Sequence, residues 1–534
     1  MIQLQYIPDP VLYFLFIFVA YAEIHYRIGN IPSRYFMQEP EIVADIPHRL
    51  QKGRLLPVAV LVKDADRYPA TIHKVTCRIK FPHSFSIQWQ INQSVNSKLW
   101  TICQDINLPD DISGSLYVDI IIDYECRGKH KQCLNDNYKL TSHRPFKVFI
   151  DQQPLPCEKG WILGDLHTHS FSSNDQVEFG ATPQISRKMA KAMGLDYFAV
   201  TDHSYDLDDD PDNYLVNDPA LPKWKELWNT VAKLNEQDKQ FIIIPGEEAS
   251  IGNCKSRTVH CLILNNPDFF PGSGDSAERW LQNHPEHSIA ECLSQKRPCS
   301  AVLAAHPFIP VPFLQRALIR RDKWHQQDLD QEQLDGLQLW NGDDDYFSTN
   351  GVQEWIQLLL KGKRVGLFAG TDAHGNFNRF RQIGLPHFSM KENAKQIFGC
   401  VRTGLFIGNN FSLKQTINAI RGHHAFVSNG PFARLCFIAD NTQFICGEQC
   451  KFKAGNVQIH CKSSAAFGTL ETVELIVGDC DLQTENIHPI KLPRSCYTKN
   501  VSLDMAELPA KGYLRLKVVT ETEFSAYTNP IYLT

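Results

Sequence analysis

The sequence lacks the short motifs that identify several common catalytic mechanisms. It contains no G-x-S-x-G nucleophile elbow and no G-x-x-x-x-G-K phosphate loop. These absences exclude the two arrangements in which a strained serine or a glycine-rich loop carries the chemistry. Internal repeats and low-complexity segments are also missing, so a repeat architecture is not expected.

Paired cysteines are absent as well, although cysteine itself is not scarce. The chain has 16 cysteines among 534 residues, without a C-x-x-C pair or a zinc-finger spacing. We therefore expect mostly buried, reduced thiols in a cytoplasmic protein and no thiolate zinc site. A disulfide-bonded secreted protein is the alternative, since the number of cysteines does not exclude it.

Strong net charge and a long hydrophobic run are the remaining absences. The formal net charge of −5 gives no sign of a polyanion-binding surface. The apolar run at residues 11–22 is shorter than the roughly 20 residues that span a bilayer, and no Lys or Arg precedes it. We interpret it as a buried strand and predict no stable membrane partner, with membrane association or export as the alternative.

Three regions differ in their hydrophobic patterns. Residues 1–155 alternate short β-rich runs with turns, which predicts a β-sandwich-like domain. Residues 156–430 alternate strands and helices, which predicts an α/β barrel. One helix is expected to begin with Thr182 as N-cap and to end at Gly194. Residues 431–534 predict a second β-sandwich-like domain.

Four histidine-bearing patches fall in the middle region. They are Asp165-Leu-His-Thr-His169, Thr201-Asp-His203, Ala305-His-Pro307 and Thr371-Asp-Ala-His374, with Glu248 and His260 between them. Each lies at or just beyond the C-terminal end of a predicted strand, where barrel enzymes place their active sites. A single histidine at such a position is usually a core or surface residue, but this many together predict a multinuclear metal site.

The order of these motifs resembles the PHP family (polymerase and histidinol phosphatase domain). Leu339-Trp-Asn-Gly342 and Ala425-Phe-Val-Ser-Asn-Gly-Pro431 look like its carbaryl-hydrolase-like branch, and the resemblance covers roughly residues 160–430. It implies a distorted (β/α)7 barrel between the two β-sandwich-like domains.

The resemblance also implies a ligand set of nine residues. A first metal would be held by His167, His169, Glu248 and Asp372. Glu248 would bridge to a second metal on His260 and His306. A third would lie on His203 and His374 with a residue shortly after His169, for which Asp175 is the candidate and Asn174 the alternative. Glu247 competes with Glu248, and the Gly246-x-Glu spacing favours Glu248.

The ligand types indicate two or three divalent ions, Zn²⁺, Mn²⁺ or Fe²⁺, because imidazole and carboxylate suit all three. Asp165 and Asp202 either orient the imidazoles or bond to backbone at strand ends. Substrate contacts are expected among Arg257, Asn341, Arg379, Arg381 and His387.

These features predict a metal-dependent hydrolase that uses a metal-bound hydroxide and no protein nucleophile. A small phosphorylated substrate is favoured, since the acidic runs at 206–212 and 343–345 would repel a long phosphate backbone. Three alternatives stay open: a carbamate, ester or amide hydrolase, a nucleic-acid phosphodiesterase, and a metal-containing binding or scaffold protein without catalysis.

Overall fold

The computed structural model describes residues 39–80, 84–137, 143–173, 180–213, 216–274, 284–342, 346–379, 382–385, 388–391 and 396–534. The apolar run at 11–22 lies outside these residues, as do Asn174, Asp175, Arg381 and His387. Within the described ranges, no helix has the length and hydrophobicity that crossing a membrane requires.

The first region folds into two sheets that share one core. Its strands are β1 (Glu41–Asp45), β2 (Arg49–Gln51), β3 (Leu56–Lys63), β4 (Ala70–Ile79), β5 (Phe85–Val95), β6 (Leu99–Ile106), β7 (Gly114–Cys126), β8 (Lys129–Leu134) and β9 (Phe146–Asp151). One sheet has the order β1-β3-β6 and the other β2-β9-β7-β4-β5, with β8 paired to β7.

Strand β3 is apolar along its whole length because it packs on both faces. Val58 and Val60 point into the core between the two sheets, whereas Ala59 and Leu61 join the core of the middle region. Successive side chains of a strand point to opposite faces, so this division follows from the period of two. The first region is thus packed directly against the part of the chain that carries the candidate site.

The middle region contains most of the helices. Its strands are β10 (Trp161–Thr168), β11 (Tyr197–Val200), β12 (Ile242–Gly252), β13 (Thr258–Leu264), β14 (Ala301–Ala305), β15 (Gly336–Asn341), β16 (Leu367–Gly370), β17 (Gln382–Leu385), β18 (Phe388–Lys391), β19 (Arg402–Phe406) and β20 (Ala425–Ser428). Its helices are α1 (Pro183–Met193), α2 (Ser204–Leu207), α3 (Pro222–Gln237), α4 (Ile289–Ser294), α5 (Phe313–Leu318), α6 (Val352–Leu360) and α7 (Leu413–Arg421), besides a 3₁₀ turn at Asp328–Asp330 and a π turn at Phe347–Gly351.

The local signals for helix α1 are confirmed. The Thr182 side chain accepts from the Ile185 amide, Pro183 occupies the first turn, and Gly194 ends the helix at φ 89°. These are the cap positions at which side-chain oxygen, proline and glycine satisfy or spare unpaired backbone groups.

The last region is made of strands alone. They are β21 (Phe432–Ala439), β22 (Thr442–Ile445), β23 (Gln449–Cys450), β24 (Gly455–Lys462), β25 (Leu470–Asp479), β26 (Thr484–Pro489), β27 (Thr498–Met505), β28 (Gly512–Thr520), β29 (Ser525–Thr528) and β30 (Ile531–Leu533). Strands β21, β22, β24 and β27 form one sheet, and the others extend the sheet of the middle region.

The prediction of a (β/α)7 barrel flanked by two sandwiches is wrong. The described residues are 43% strand and 15% helix, and the main sheet is a curled half-barrel. That sheet runs β16-β15-β14-β13-β12-β11-β10-β19-β20-β29-β28-β25-β26, so it crosses from the middle region into the last one. Between β16 and β20 of this sheet, parallel ladders join β10-β11-β12 and β14-β15-β16, while β12-β13, β13-β14, β10-β19 and β19-β20 are antiparallel.

The physical reason lies in the connections. A closed parallel barrel needs a crossover, usually a helix, after each strand. Here β12 turns directly into β13 as a hairpin, with seven paired positions from Gly246↔Leu264 to Gly252↔Thr258. Strand β16, at one end of this sheet, still approaches β10, through an isolated parallel bridge between Thr168 and Ala373. The strand ends that carry polar residues therefore face a common space without a closed barrel.

Candidate metal centre

Eight of the nine predicted ligands converge on one place. They are His167, His169, His203, Glu248, His260, His306, Asp372 and His374. The ninth, Asp175, lies outside the described residues together with its alternative Asn174.

Strand ends position most of these side chains. His167 is the last but one residue of β10, and His169 directly follows that strand. His306 follows β14, and Asp372 and His374 follow β16. Glu248 is carried inward because β12 continues past the rim as one arm of its hairpin with β13. His306 and Asp372 have positive φ angles, 32° and 56°. Such backbone is costly for residues other than glycine and is concentrated at functional sites.

Four ligand atoms are spaced like the corners of a tetrahedron, with five of their six separations between 3.1 and 3.4 Å. His167 Nε2 and His169 Nε2 are 3.2 Å apart, and they lie 3.4 and 3.3 Å from Glu248 Oε2. Their distances to Asp372 Oδ1 are 3.3 and 3.1 Å. A regular tetrahedron with edges of about 3.3 Å has its centre about 2.0 Å from each corner, which is the usual zinc–nitrogen and zinc–oxygen distance.

The two oxygens of Glu248 face two different sets of imidazoles. Oε2 faces the tetrahedron and lies 3.1 Å from His203 Nδ1. Oε1 lies 2.7 Å from His260 Nδ1 and 3.2 Å from His306 Nε2. A carboxylate in this position can bridge two ions.

A third group consists of three imidazoles. One nitrogen from each of His169, His203 and His374 lies within 4.8 Å of the others. The His169 and His374 rings are stacked, with centroids 4.0 Å apart and an interplanar angle of 5°. His203 also belongs to a group with Glu248 and His260, so it lies between the second and third groups.

Hydrogen bonds to Nδ1 orient two rings of the first group. His167 Nδ1 lies 3.2 Å from Gln338 Oε1, and the Gln338 amide nitrogen donates to Trp340, Asn341 and Gly370. Because that amide orientation makes Oε1 an acceptor, His167 carries its proton on Nδ1 and presents the Nε2 lone pair to the centre.

His169 is oriented through a relay. Its Nδ1 lies 3.1 Å from Ser173 Oγ, and Ser173 donates its hydroxyl proton to Asp202 Oδ1 at 2.8 Å. Ser173 can then accept only from an Nδ1–H, which again leaves Nε2 for the centre. His374 follows the same rule, since its Nδ1 lies 3.0 Å from the Asp372 carbonyl oxygen.

Asp165 and Asp202 were each expected either to orient an imidazole or to bond to the backbone at a strand end, and the two residues differ in this respect. Asp165 accepts from the amides of His167, Thr371 and Gly399 and from the Thr371 hydroxyl, so it bonds to backbone and ties the ends of β10 and β16 together. Asp202 anchors the loop after β10 through Ser170 and, through Ser173, also acts on the His169 ring.

The pKa values of the centre without metal show that its buried carboxylates need a nearby positive charge. Burial lowers the pKa of His167, but Asp372 and Glu248 outweigh it and raise the value to about 9. Burial opposes ionisation of Glu248 and Asp372 as well, yet the neighbouring histidines hold both carboxyl pKa values well below the ordinary range. Burial and His169 lower the pKa of His203 to about 4. The centre therefore favours ionised carboxylates and attracts a proton in place of a cation.

The predicted substrate contacts are placed unevenly. Asn341 lies at the centre, where its amide nitrogen is 3.4 Å from Asp372 Oδ2. Arg379 is buried, and Arg257 donates to the Arg316 carbonyl at 3.2 Å. Arg381 and His387 are not among the described residues. Glu247, the rival of Glu248, points away and accepts from the Phe270 amide.

Four residues at the centre were missed by sequence reasoning. Gln338 and Ser173 orient imidazoles, and Gln396 donates to Asp372 Oδ2 at 3.0 Å. Arg321 places a guanidinium nitrogen 3.2 Å from His260 Nδ1. Only Gln338 carried a signal, as a polar residue inside an apolar strand run; buried polar side chains of this kind are normally committed to hydrogen bonds.

No protein-family model and no curated protein matches this sequence. Among solved structures, the chain is similar to a Parabacteroides merdae beta-glucuronidase at 9% identity and TM-score 0.18, covering 93% of this chain and 64% of that one. A calcium-binding mutant of Bacteroides uniformis beta-glucuronidase 2 matches at 11% identity and TM-score 0.17, covering 92% and 60%. The chain thus spans less than two thirds of these proteins, and likeness at such TM-scores supports no conclusion about activity.

Proposed function

We propose that this protein is a metal-dependent hydrolase with two or three divalent ions, acting on a small phosphoester. The observation that carries the proposal is the convergence of buried imidazole nitrogens and carboxylate oxygens at separations of 3.1–3.4 Å. The resemblance of the ligand motifs to the PHP family supports the same chemistry, although the fold is not the barrel that the resemblance implied.

The residues present fit divalent cations. In the first group, two Nε2 lone pairs and two carboxylate oxygens face inward, because Nδ1 of both rings is already engaged. Glu248 Oε2 and His203 Nδ1 are buried and lack a hydrogen bond of acceptable geometry, although they are 3.1 Å apart. Leaving such atoms unsatisfied costs about 1–3 kcal/mol each, so a cation between them relieves a real penalty.

Under this proposal His167, His169, Glu248 and Asp372 hold one ion, and Glu248, His260 and His306 a second. His203 and His374 hold the third, with a residue after His169. When bound, the ions lower the pKa of water toward about 7 and clamp the oxygens of the reacting group. Donors of this kind, without thiolate, suit Zn²⁺, Mn²⁺ or Fe²⁺.

Charge favours an anionic substrate. Among the described ligands the carboxylates are Glu248 and Asp372, and two or three divalent ions would outweigh their charge. Arg321 adds a guanidinium beside His260, in a position to pair with a phosphate oxygen on that side. The chain itself thus supplies a binding and orienting group for phosphate besides its ligands.

Depth favours a small substrate or a chain end. His167, His169 and Glu248 are each at most 2% exposed, and half-buried His203 and His306 border the approach. The acidic run at 206–212 was expected to repel a long phosphate backbone, but part of its charge is already paired. Asp209 pairs with Lys223 at 3.1 Å, and Asp208 accepts from Asn217, so both are used inside the loop.

The test compares three p-nitrophenyl substrates in metal-loaded protein: the phosphate monoester, the bis-phosphodiester and the acetate. We expect the monoester to be hydrolysed fastest, and chelation or Glu248→Gln to abolish its turnover. His488→Ala, at an exposed histidine on β26, is the matched control and should behave as wild type. Bound metal without turnover of any substrate would favour a metal-containing binding or scaffold protein. Preference for the acetate would favour an ester or amide hydrolase.

A second comparison tests the role of Arg321. Arg321→Gln should raise KM for the phosphate monoester and leave KM for the uncharged acetate unchanged, because only the former offers an anion. Arg321→Lys keeps the charge and should restore part of the loss. Equal effects on both substrates would contradict a phosphate contact.

A further inference from the structure

A second histidine–carboxylate group lies in the first region, on strands that do not contribute to the candidate metal centre. His73 is on β4, Glu125 on β7 and His130 on β8. These three strands are neighbours, with Thr71↔Glu125 and Glu125↔His130 as paired positions. Residues paired across strands on one face have Cβ atoms about 4.5–5.5 Å apart, so Glu125 and His130 stand side by side in a row that Thr71 begins on β4.

An irregularity in β4 brings His73 into this row. The pairing of β4 with β7 shifts between Ile72 and Lys74, which leaves His73 as the extra residue. Ile72 is fully buried, whereas His73 and Lys74 are half-buried on the outer side. β-Bulges redirect side chains in this way and are frequent beside functional sites.

The nitrogen atoms of both rings converge on one oxygen. His130 Nε2 lies 3.3 Å and His73 Nε2 3.7 Å from Glu125 Oε2, and the ring centroids are 5.2 Å apart. One ligand atom from each residue lies within 4.8 Å of the others. Ligand atoms about 2.0–2.1 Å from a tetrahedral ion are about 3.3–3.4 Å apart, so only a small adjustment at His73 is needed.

Hydrogen bonding does not explain the position of His73. Its Nε2 is shielded from solvent yet has no hydrogen-bond partner, and 3.7 Å to Glu125 is too long for one. The lysines beside the row are already paired, Lys74 with Asp123 at 3.3 Å and Lys131 with Glu39. Glu125 is thus the carboxylate that the two rings share.

We propose that His73, Glu125 and His130 form a separate site for one borderline divalent ion, Zn²⁺, Cu²⁺ or Ni²⁺. Two imidazoles and one carboxylate suit these ions, and three ligands leave a fourth position for water or a side chain of another molecule. Arg127 in the adjacent hairpin turn and Lys129 at the start of β8 bring positive charges that disfavour a cation. The affinity is accordingly expected to be lower than that of the centre around Glu248.

The experiment measures bound Zn²⁺ after equilibrium dialysis of the full chain, by elemental analysis. His130→Ala should lose one equivalent relative to wild type; His130 is 77% exposed in its side chain, so the fold should be unaffected. Glu125→Gln should lose the same equivalent, and His488→Ala should lose none. Binding equal to wild type in both His130→Ala and Glu125→Gln would overturn the proposal.

Repeating the comparison in a Glu248→Gln background separates this site from the proposed hydrolytic centre. The equivalent lost with His130→Ala should be the same in both backgrounds. If Glu248→Gln changes no metal content but His130→Ala does, the centre fails and this site stands. If Glu248→Gln lowers the metal content but His130→Ala does not, the site on His73, Glu125 and His130 is refuted and the centre around Glu248 stands. Copper(II) electron paramagnetic resonance gives a second readout, in which the nitrogen-coupled signal should fall by one copper equivalent in His73→Ala/His130→Ala.

Discussion

Gln338 offers the sharpest test of how the centre is built. It is fully buried on β15, its Oε1 accepts from His167 Nδ1 and from the His306 amide at 3.0 Å, and its amide nitrogen donates three times. Gln338→Leu removes all five bonds at similar volume. The His306 amide still donates to the backbone carbonyl of residue 338 at 2.9 Å. The His167 Nδ1–H is therefore the donor that is left without a hydrogen-bond partner.

The magnitude follows from that inventory. One buried donor left without a partner costs about 1–3 kcal/mol, and the weakened acceptors add to it, so we expect a loss of roughly 2–4 kcal/mol in the free energy of unfolding. Because His167 loses the partner that fixes its tautomer, metal affinity should fall about 10–100-fold. Gln357→Leu, at an exposed position on α6, is the matched control and should change neither quantity.

Two assays check the prediction. Thermal or urea unfolding of the metal-free protein reports stability, and competition with a chromophoric chelator reports affinity. If Gln338→Leu binds metal as wild type does while its stability falls, Gln338 supports only the fold and the tautomer argument is refuted.

Three further outcomes are expected. Asp165→Asn should lower the melting temperature, by a loss of about 2–3 kcal/mol, because the new amide group faces donors where the carboxylate accepted four bonds; an unchanged melting curve would contradict this. Removing metal with a chelator should lower the melting temperature of wild type, since an ion at 100 times its Kd stabilises by about 2.7 kcal/mol, whereas Glu248→Gln should respond weakly; equal shifts would count against the bridge. His48 is half-buried, and desolvation with Arg402 and Arg49 lowers its pKa to about 4. A histidine with a depressed folded pKa is neutral in both states above pH 6.5 and has no effect there, but it destabilises the fold as pH falls toward 4, so His48→Gln should abolish roughly 3 kcal/mol of the acid destabilisation in that window; the same acid sensitivity in both proteins would disprove it.

Local signals were readable from the sequence wherever one element sets the geometry. The N-cap Thr182 and the terminal Gly194 of α1 act within a single turn, and their effect does not depend on the rest of the chain. Strand β3 shows the limit of such signals. Its continuous apolar run predicts burial, but only packing shows that Val60 and Leu61 enter different cores.

The fold class could not be obtained in this way. A buried strand has the same apolar pattern whether its neighbour is parallel or antiparallel. The hairpin from β12 to β13 and the continuation of the sheet from β20 to β29 are decided by pairing between distant segments. Those pairings replace the barrel with a curled half-barrel sheet.

The sequence by itself determined which residues were candidates for the centre, because each candidate is a metal-binding residue type next to the end of a predicted strand. Tertiary structure alone decided that eight of them meet, that Glu248 points one oxygen to each imidazole set, and that Gln338, Ser173, Gln396 and Arg321 surround them. These partners come from separate elements and repeat no pattern. Their positions follow from how the elements pack, which composition and spacing do not encode.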